Sequence, residues 1–192
     1  MNGELVETYR LASANFCALV ADVPDDLWEA PGLGSWTVRE LVGHTNRAYT
    51  TIEDYLLHPQ DPEPPGSSYF SDGAIAQRGR QAVLALGDDP AVSVAATAER
   101  VLGLIEASSP ESALGSPIGT MTLADYLPSR IAELVIHGMD LAQAISVERP
   151  IPESCMRQTL AFVAQRAAKK DSQLVLRALI GRGQLPAGYS VY

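Results

Sequence analysis

Arg130-Ile131-Ala132-Glu133-Leu134-Val135-Ile136-His137-Gly138-Met139-Asp140 is the stretch on which the reading of this chain turns. Glu133 and His137 are four residues apart, and Asp140 follows three further on. On a helix, at about 100° per residue, the three fall within an arc of about 60°. Tyr126, Arg130 and Ala144 extend the same stripe. Leu123, Leu127, Leu134, Leu141 and Ile145 flank it on one side, and Ile136, Met139 and Val147 on the other. A polar stripe with apolar residues on both flanks is not the pattern of a solvated face. A carboxylate and an imidazole turned inward need partners, because an unpaired buried charge is strongly unfavourable. By itself the Glu/His pair reads in three ways: a surface pair, a core histidine held by hydrogen bonds, or half of a metal site.

A second inward-facing histidine lies upstream. Thr37-Val38-Arg39-Glu40 is a capping box, a threonine N-cap with glutamate three residues later, and it opens a helix to about Leu57. With His44 set at 0°, Val38, Leu41, Ala48, Ile52, Tyr55 and Leu56 fall between about 20° and 120°. Arg39, Asn46, Thr50 and Asp54 take the opposite side. His44 therefore stands at the margin of the buried face, able to point inward. Trp36, just before the helix, packs as a staple or roofs a pocket. His58 opens the proline-rich loop through Ser71 and reads as a solvent-facing histidine.

The remaining chain reads as helices joined by loops. Residues 2–22 carry Leu5, Val6, Tyr9, Leu11, Phe16, Leu19 and Val20 on an apolar face that includes Cys17, a small core residue rather than a nucleophile. The connection Asp22–Ser35 follows. Ser71-Asp72 caps a helix to Leu86, and Ala91–Ser108 continues beyond a Gly87–Pro90 break. Ser109–Met121 is a loop with two prolines and two glycines, after which Thr122 caps the decisive helix. Pro128 in that helix predicts a kink or a later start. Glu153–Lys169 and Gln173–Ile180 are two further helical segments, and the tail from Gly181 is irregular. No stretch reads as a strand, so the fold class is all-α: an up-and-down four-helix bundle over residues 1–150, with a helical extension, 151–192, packed on it.

Composition narrows the function. At 46% hydrophobic and 19% charged residues the chain is globular, and 192 residues suffice for one core. A net charge of −9 disfavours nucleic acid as a partner. No apolar run approaches the roughly 18 residues of a membrane span, and the N-terminus lacks the layout of a signal peptide. Cys17 and Cys155 form no disulfide framework. A cytoplasmic protein with small-molecule partners, monomeric or a homodimer, is expected.

His44, Glu133 and His137 together make a two-histidine, one-carboxylate set, common for zinc or a similar divalent ion with a position open to water or substrate. Facing helices of a bundle can project such a set into one dry space. The HExxH peptidase signature is absent. Trp36-Thr-Val-Arg-Glu-Leu-Val-Gly-His44 and Glu133-Leu-Val-Ile-His-Gly-Met-Asp-Leu141 resemble the N-terminal, DinB-like domain of mycothiol-dependent maleylpyruvate isomerases. The ending Leu176–Ser190 is similar to endings in actinobacterial members of that group.

The resemblance implies a four-helix bundle holding a divalent ion, usually zinc, through His44, Glu133 and His137. It also implies mycothiol as a thiol cofactor that the metal polarises for attack on a small organic substrate. Asp140 and Arg130 are the candidates for supporting the chemistry. Asp140 is placed to accept a hydrogen bond that orients an imidazole; Arg130 is placed to pair with Asp140, to meet an anionic ligand, or to serve structure. The isomerases carry a second, mixed α/β domain at the substrate site, whereas only the helical extension 151–192, with its irregular tail from Gly181, follows the bundle in this sequence. Fold and metal site are therefore expected to carry over further than substrate. Three functions remain open: a thiol-dependent isomerase or S-transferase, a metal-dependent hydrolase, and a non-catalytic metal or small-ligand binder.

Overall fold

The computed structural model describes residues 3–59, 72–117 and 119–191. Four helices, α1 (Gly3–Ala21), α2 (Val38–Leu57), α4 (Pro90–Ala107) and α5 (Leu123–Ala144), make a bundle. Each of α1 and α2 packs against both α4 and α5. α1 and α2 thus face each other across the square, where the rings of Tyr9 and Tyr49 meet edge to face at 6.4 Å. Tyr9, Phe16, Leu41, Tyr49, Ile52, Val101, Ile105, Leu127, Ile131 and Leu134 fill the middle, each essentially inaccessible to solvent. α3 (Asp72–Leu84) lies along α2, and α6 (Glu153–Leu179) packs on α5 and α1.

Both helices that carry the histidines begin where the sequence places them. Thr37 Oγ1 accepts the Glu40 N–H at 3.2 Å, and the Glu40 carboxylate accepts the Thr37 N–H at 2.8 Å, completing the capping box. Thr122 Oγ1 accepts the Asp125 N–H at 3.1 Å. α5 starts at this cap and runs unbroken past Pro128, so the later start is not seen.

Two connections expected to be plain loops contain short strands. β1 (Pro31–Leu33) pairs antiparallel with β2 (Trp36–Thr37), and β3 (Ala113–Ser116) with β4 (Gly119–Thr122). Each hairpin leads straight into an N-cap, Thr37 or Thr122, and so fixes the entry of a site helix. Gly32 is needed in the first: a Cβ there would stand 2.7 Å from the Thr37 carbonyl oxygen. Strands of two to four residues carry too little alternation to be read from sequence.

Other differences have similarly local causes. Asn46 is buried, not outward, because α3, α4 and α5 enclose α2 on several sides. Met139 and Leu11 are partly exposed, at 51% and 36%, rather than core. The two expected C-terminal segments are present: α6 is two helices that meet at a kink at Asp171, whose backbone is non-helical (φ −144°, ψ 51°). Its buried Cys155 donates to the Thr8 carbonyl at 3.3 Å, tying α6 to α1. Both cysteines are free thiols, and burial raises the pKa of Cys17. The expected exposed loop through Ser71 and the Ser71 cap lie outside the described residues. No described helix is long and apolar enough to cross a membrane.

Candidate metal centre

α2 and α5 lie side by side, and their facing polar residues meet. His44 comes from the second turn of α2; Glu133 and His137 come from successive turns of α5. His137 Nε2 is 3.4 Å from Glu133 Oε2, and His44 Nε2 is 3.9 Å from the same oxygen. One donor atom from each residue can be chosen so that all three lie within 4.8 Å of one another. The imidazoles stand perpendicular, with centroids 5.1 Å apart. All three side chains are largely but not wholly buried, His44 at 30%, Glu133 at 21% and His137 at 16% exposure.

The donor set fits a tetrahedral ion. Bonds of about 2.0–2.1 Å to nitrogen and oxygen place donors about 3.3 Å apart around zinc. The distances from Glu133 Oε2, 3.4 and 3.9 Å, stand within about 0.6 Å of that, and all three donors lie within 4.8 Å of one another.

Asp140 Oδ2 lies 3.0 Å from His137 Nδ1. An ionised carboxylate only accepts, so the proton of this bond sits on Nδ1. In the neutral ring Nε2 then presents a lone pair towards Glu133, also an acceptor. Two acceptors at 3.4 Å repel unless a proton or a cation joins them. The electrostatic surroundings agree. Burial pushes His137 down, yet the contact with Glu133 and then Asp140 outweighs it and leaves the ring above its ordinary pKa. Burial raises Glu133, but His137, Arg130 and His44 together hold its carboxyl below the usual range. His44 is pushed down to about 4 by burial, reinforced by His137, Arg47 and Arg130 against the pull of Glu133.

Trp36 lies against His44, ring centroids 4.6 Å apart and tilted by 38°, so it both packs and covers the imidazole. His58 is exposed and pairs with Asp54 at 3.1 Å, apart from the cluster. Arg130 does not pair with Asp140. Its guanidinium stacks over Tyr126 at 4.7 Å, and its Nε donates to Ser129 Oγ at 3.1 Å. Tyr126 in turn donates to Thr51 Oγ1 at 3.1 Å.

A cavity of about 270 Å³ opens beside His44 and Glu133. Arg47, Thr51 and Tyr55 of α2, Tyr126 and Arg130 of α5, and Ser116 and Pro117 at the β3–β4 turn line it. The hairpin's contribution was hidden by its reading as a loop. Arg47 is not among the residues the sequence singles out, although its place three residues after His44 is a signal for a shared helix side.

No curated protein and no solved structure significantly matches the chain. The family described as mycothiol maleylpyruvate isomerase N-terminal domain matches residues 9–142, which contain α2, all but the last two residues of α5 and every residue of the His44–Glu133–His137 cluster. With well over half of its length matched, and with a DinB-like helical bundle around that cluster, the chain belongs to the mycothiol maleylpyruvate isomerase N-terminal domain family.

Proposed function

We propose that this protein is a zinc-dependent enzyme that activates a low-molecular-weight thiol of the mycothiol type for isomerase or S-transferase chemistry in the cytoplasm. His44, Glu133 and His137 are its metal ligands. Residues 1–150 form the metal-binding bundle, and residues 151–192 a helical extension upon it. The observation that carries the reading is the convergence of three donors, two neutralisable imidazoles and one carboxylate, beside a cavity large enough for a small molecule.

Zinc held there would supply a Lewis acid that lowers the pKa of a thiol in its open position. The chain's own residues do the rest. Asp140 fixes the tautomer of His137 through the Nδ1 bond, keeping Nε2 available. Trp36 shields His44 and limits water on that side. Glu133 offsets the positive charge gathered between α2 and α5. The low pKa of His44 keeps it neutral and ready to donate its lone pair at physiological pH.

Titration of cobalt-substituted protein with mycothiol tests the reading. A sulfur-to-metal charge-transfer band should appear in the unaltered protein, with release of a proton near neutral pH; it should be missing in His137→Ala. Stoichiometric cobalt uptake without either signal would overturn the thiol-dependent reading and favour a hydrolase or a metal binder.

A further inference from the structure

Residues 168–191 make an arm in which no side chain is buried. The helix of α6 beyond the Asp171 kink forms one half, and the tail folds back along it as the other. Tyr189 donates to Asp171 Oδ2 at 3.2 Å, and Lys170 Nζ to the Ser190 carbonyl at 2.9 Å. The arm is thus shaped, not frayed. Its helix is short, and helices under about 12–15 residues are marginal in water without packing. It is also apolar on two sides. Leu174, Val175 and Ala178 are half-buried, while Leu176, Leu179 and Ile180 stand at i, i+3 and i+4 on the open side. Those three and Leu185 of the tail are 44–77% exposed. A helix apolar all round belongs in an interior, and here one side is uncovered.

Charge indicates what covers it. Residues 154–192 carry six lysines and arginines against one aspartate, whereas residues 1–153 carry eight against 22 acidic residues. Lys169, Arg177 and Arg182 are exposed, and among the described residues none has a carboxylate within ion-pair distance. A complementary patch lies at the corner where α3 leads into α4. Leu84 and Val92 are 80% and 65% exposed there, and the exposed Asp88 and Asp89 lie between them in sequence. Arg39 brings Glu29 to the same corner, pairing with its carboxylate at 3.3 Å while donating to the Gly87 carbonyl at 3.1 Å.

We propose that the arm docks on the α3–α4 corner of a second copy of this chain, each copy giving an arm and receiving one. Such an exchange closes on a two-fold axis. The arm has the size of one side of a standard interface, about 20–30 residues. Arm against arm would set like charges together. An anionic membrane or a nucleic acid would attract the arm but repel the acidic bundle beside it. The inference goes beyond the enzyme reading and needs neither metal nor thiol.

Sedimentation equilibrium of the full chain is the test. A dimer should form below about 100 μM, and it should weaken as salt screens the exposed charges. Leu179→Ser/Ile180→Ser in the arm and Leu84→Ser in the corner should each weaken it about 10- to 100-fold. Leu57→Ser, 59% exposed at the end of α2, should leave it unchanged. Charge exchange gives the specific signature. Arg177→Glu/Arg182→Glu and Asp88→Arg should each weaken the homodimer, and mixing the two variants should yield a heterodimer, because both exchanged contacts then pair opposite charges. Should these variants fail to fold, amide exchange in the unaltered protein should still slow at residues 84–92 and 172–180 as its concentration rises.

A monomer at every concentration would overturn the proposal, as would a dimer indifferent to the arm or to the corner. Growth into polymers would overturn the reciprocal closure. Monomeric protein that co-sediments with phosphatidylglycerol vesicles, and not with phosphatidylcholine, would assign the arm to membranes and overturn it too.

Discussion

Asp140 offers a graded test of how the site is tuned. Its Oδ2 accepts from His137 Nδ1 at 3.0 Å, and the two side chains are 26% and 16% exposed. A hydrogen bond to a charged partner contributes about 1.5–3 kcal/mol, against about 0.5–1.5 kcal/mol for a neutral one. Asp140→Asn keeps a neutral carbonyl acceptor and loses the difference, about 1–1.5 kcal/mol, which is roughly five- to tenfold in zinc affinity. Asp140→Ala removes the bond, frees the tautomer and should weaken zinc about 10- to 100-fold. Partial exposure of Asp140 places both effects towards the lower end, because water screens the charge. Competition against a chromogenic chelator at pH 7 measures the affinities, with thermal melting to establish that each variant is folded. Zinc affinity in Asp140→Ala equal to that of the unaltered protein would refute the orienting role, as would a larger loss in Asn than in Ala.

Acid should weaken zinc binding with the slope of one proton rather than two. His137, raised above its ordinary 6.5, carries a proton that zinc must displace, whereas His44, at about 4, is already neutral. Between about pH 5 and 6 apparent affinity should therefore fall about tenfold per unit of acidification, and a hundredfold fall would contradict the assignment. Gly43→Ala should destabilise the fold by about 1–2 kcal/mol in urea unfolding despite the better helix propensity of alanine. The new Cβ would stand 3.1 Å from the Val83 backbone nitrogen on α3, so a stabilised variant would show that α3 yields freely. Thr37→Ala breaks the capping box before His44 and should cost about 1 kcal/mol in the same measurement; no change would mean that β1–β2 alone sets the helix entry.

Local chemistry made the site legible before the structure. Thr37 with Glu40 and Thr122 with Asp125 mark two helix starts by side-chain caps, which depend on neighbours a few residues away. Once both helices have fixed starts, period alone turns His44, Glu133 and His137 inward. What escaped depends on tertiary surroundings. Asn46 is buried because three helices enclose α2, and an amphipathic reading assumes a single buried face. Met139 sits in a groove between α1 and the end of α5, half exposed where a flank was expected to be covered. The hairpins are too short for periodicity, so the presence of Ser116 and Pro117 at the cavity could not be read. Arg47 shares a helix side with His44 in the sequence. That it meets Arg130 at one cavity follows only from the packing of α2 on α5.

Metal content is the most direct test of the claim that His44, Glu133 and His137 hold the ion. Protein reconstituted with zinc and passed through a desalting column should retain one zinc per chain by elemental analysis. His44→Ala, Glu133→Ala and His137→Ala, each shown to be folded by its helical circular dichroism, should retain little or none, and His58→Ala should retain it fully. One zinc per chain still bound in folded His44→Ala would contradict the assignment.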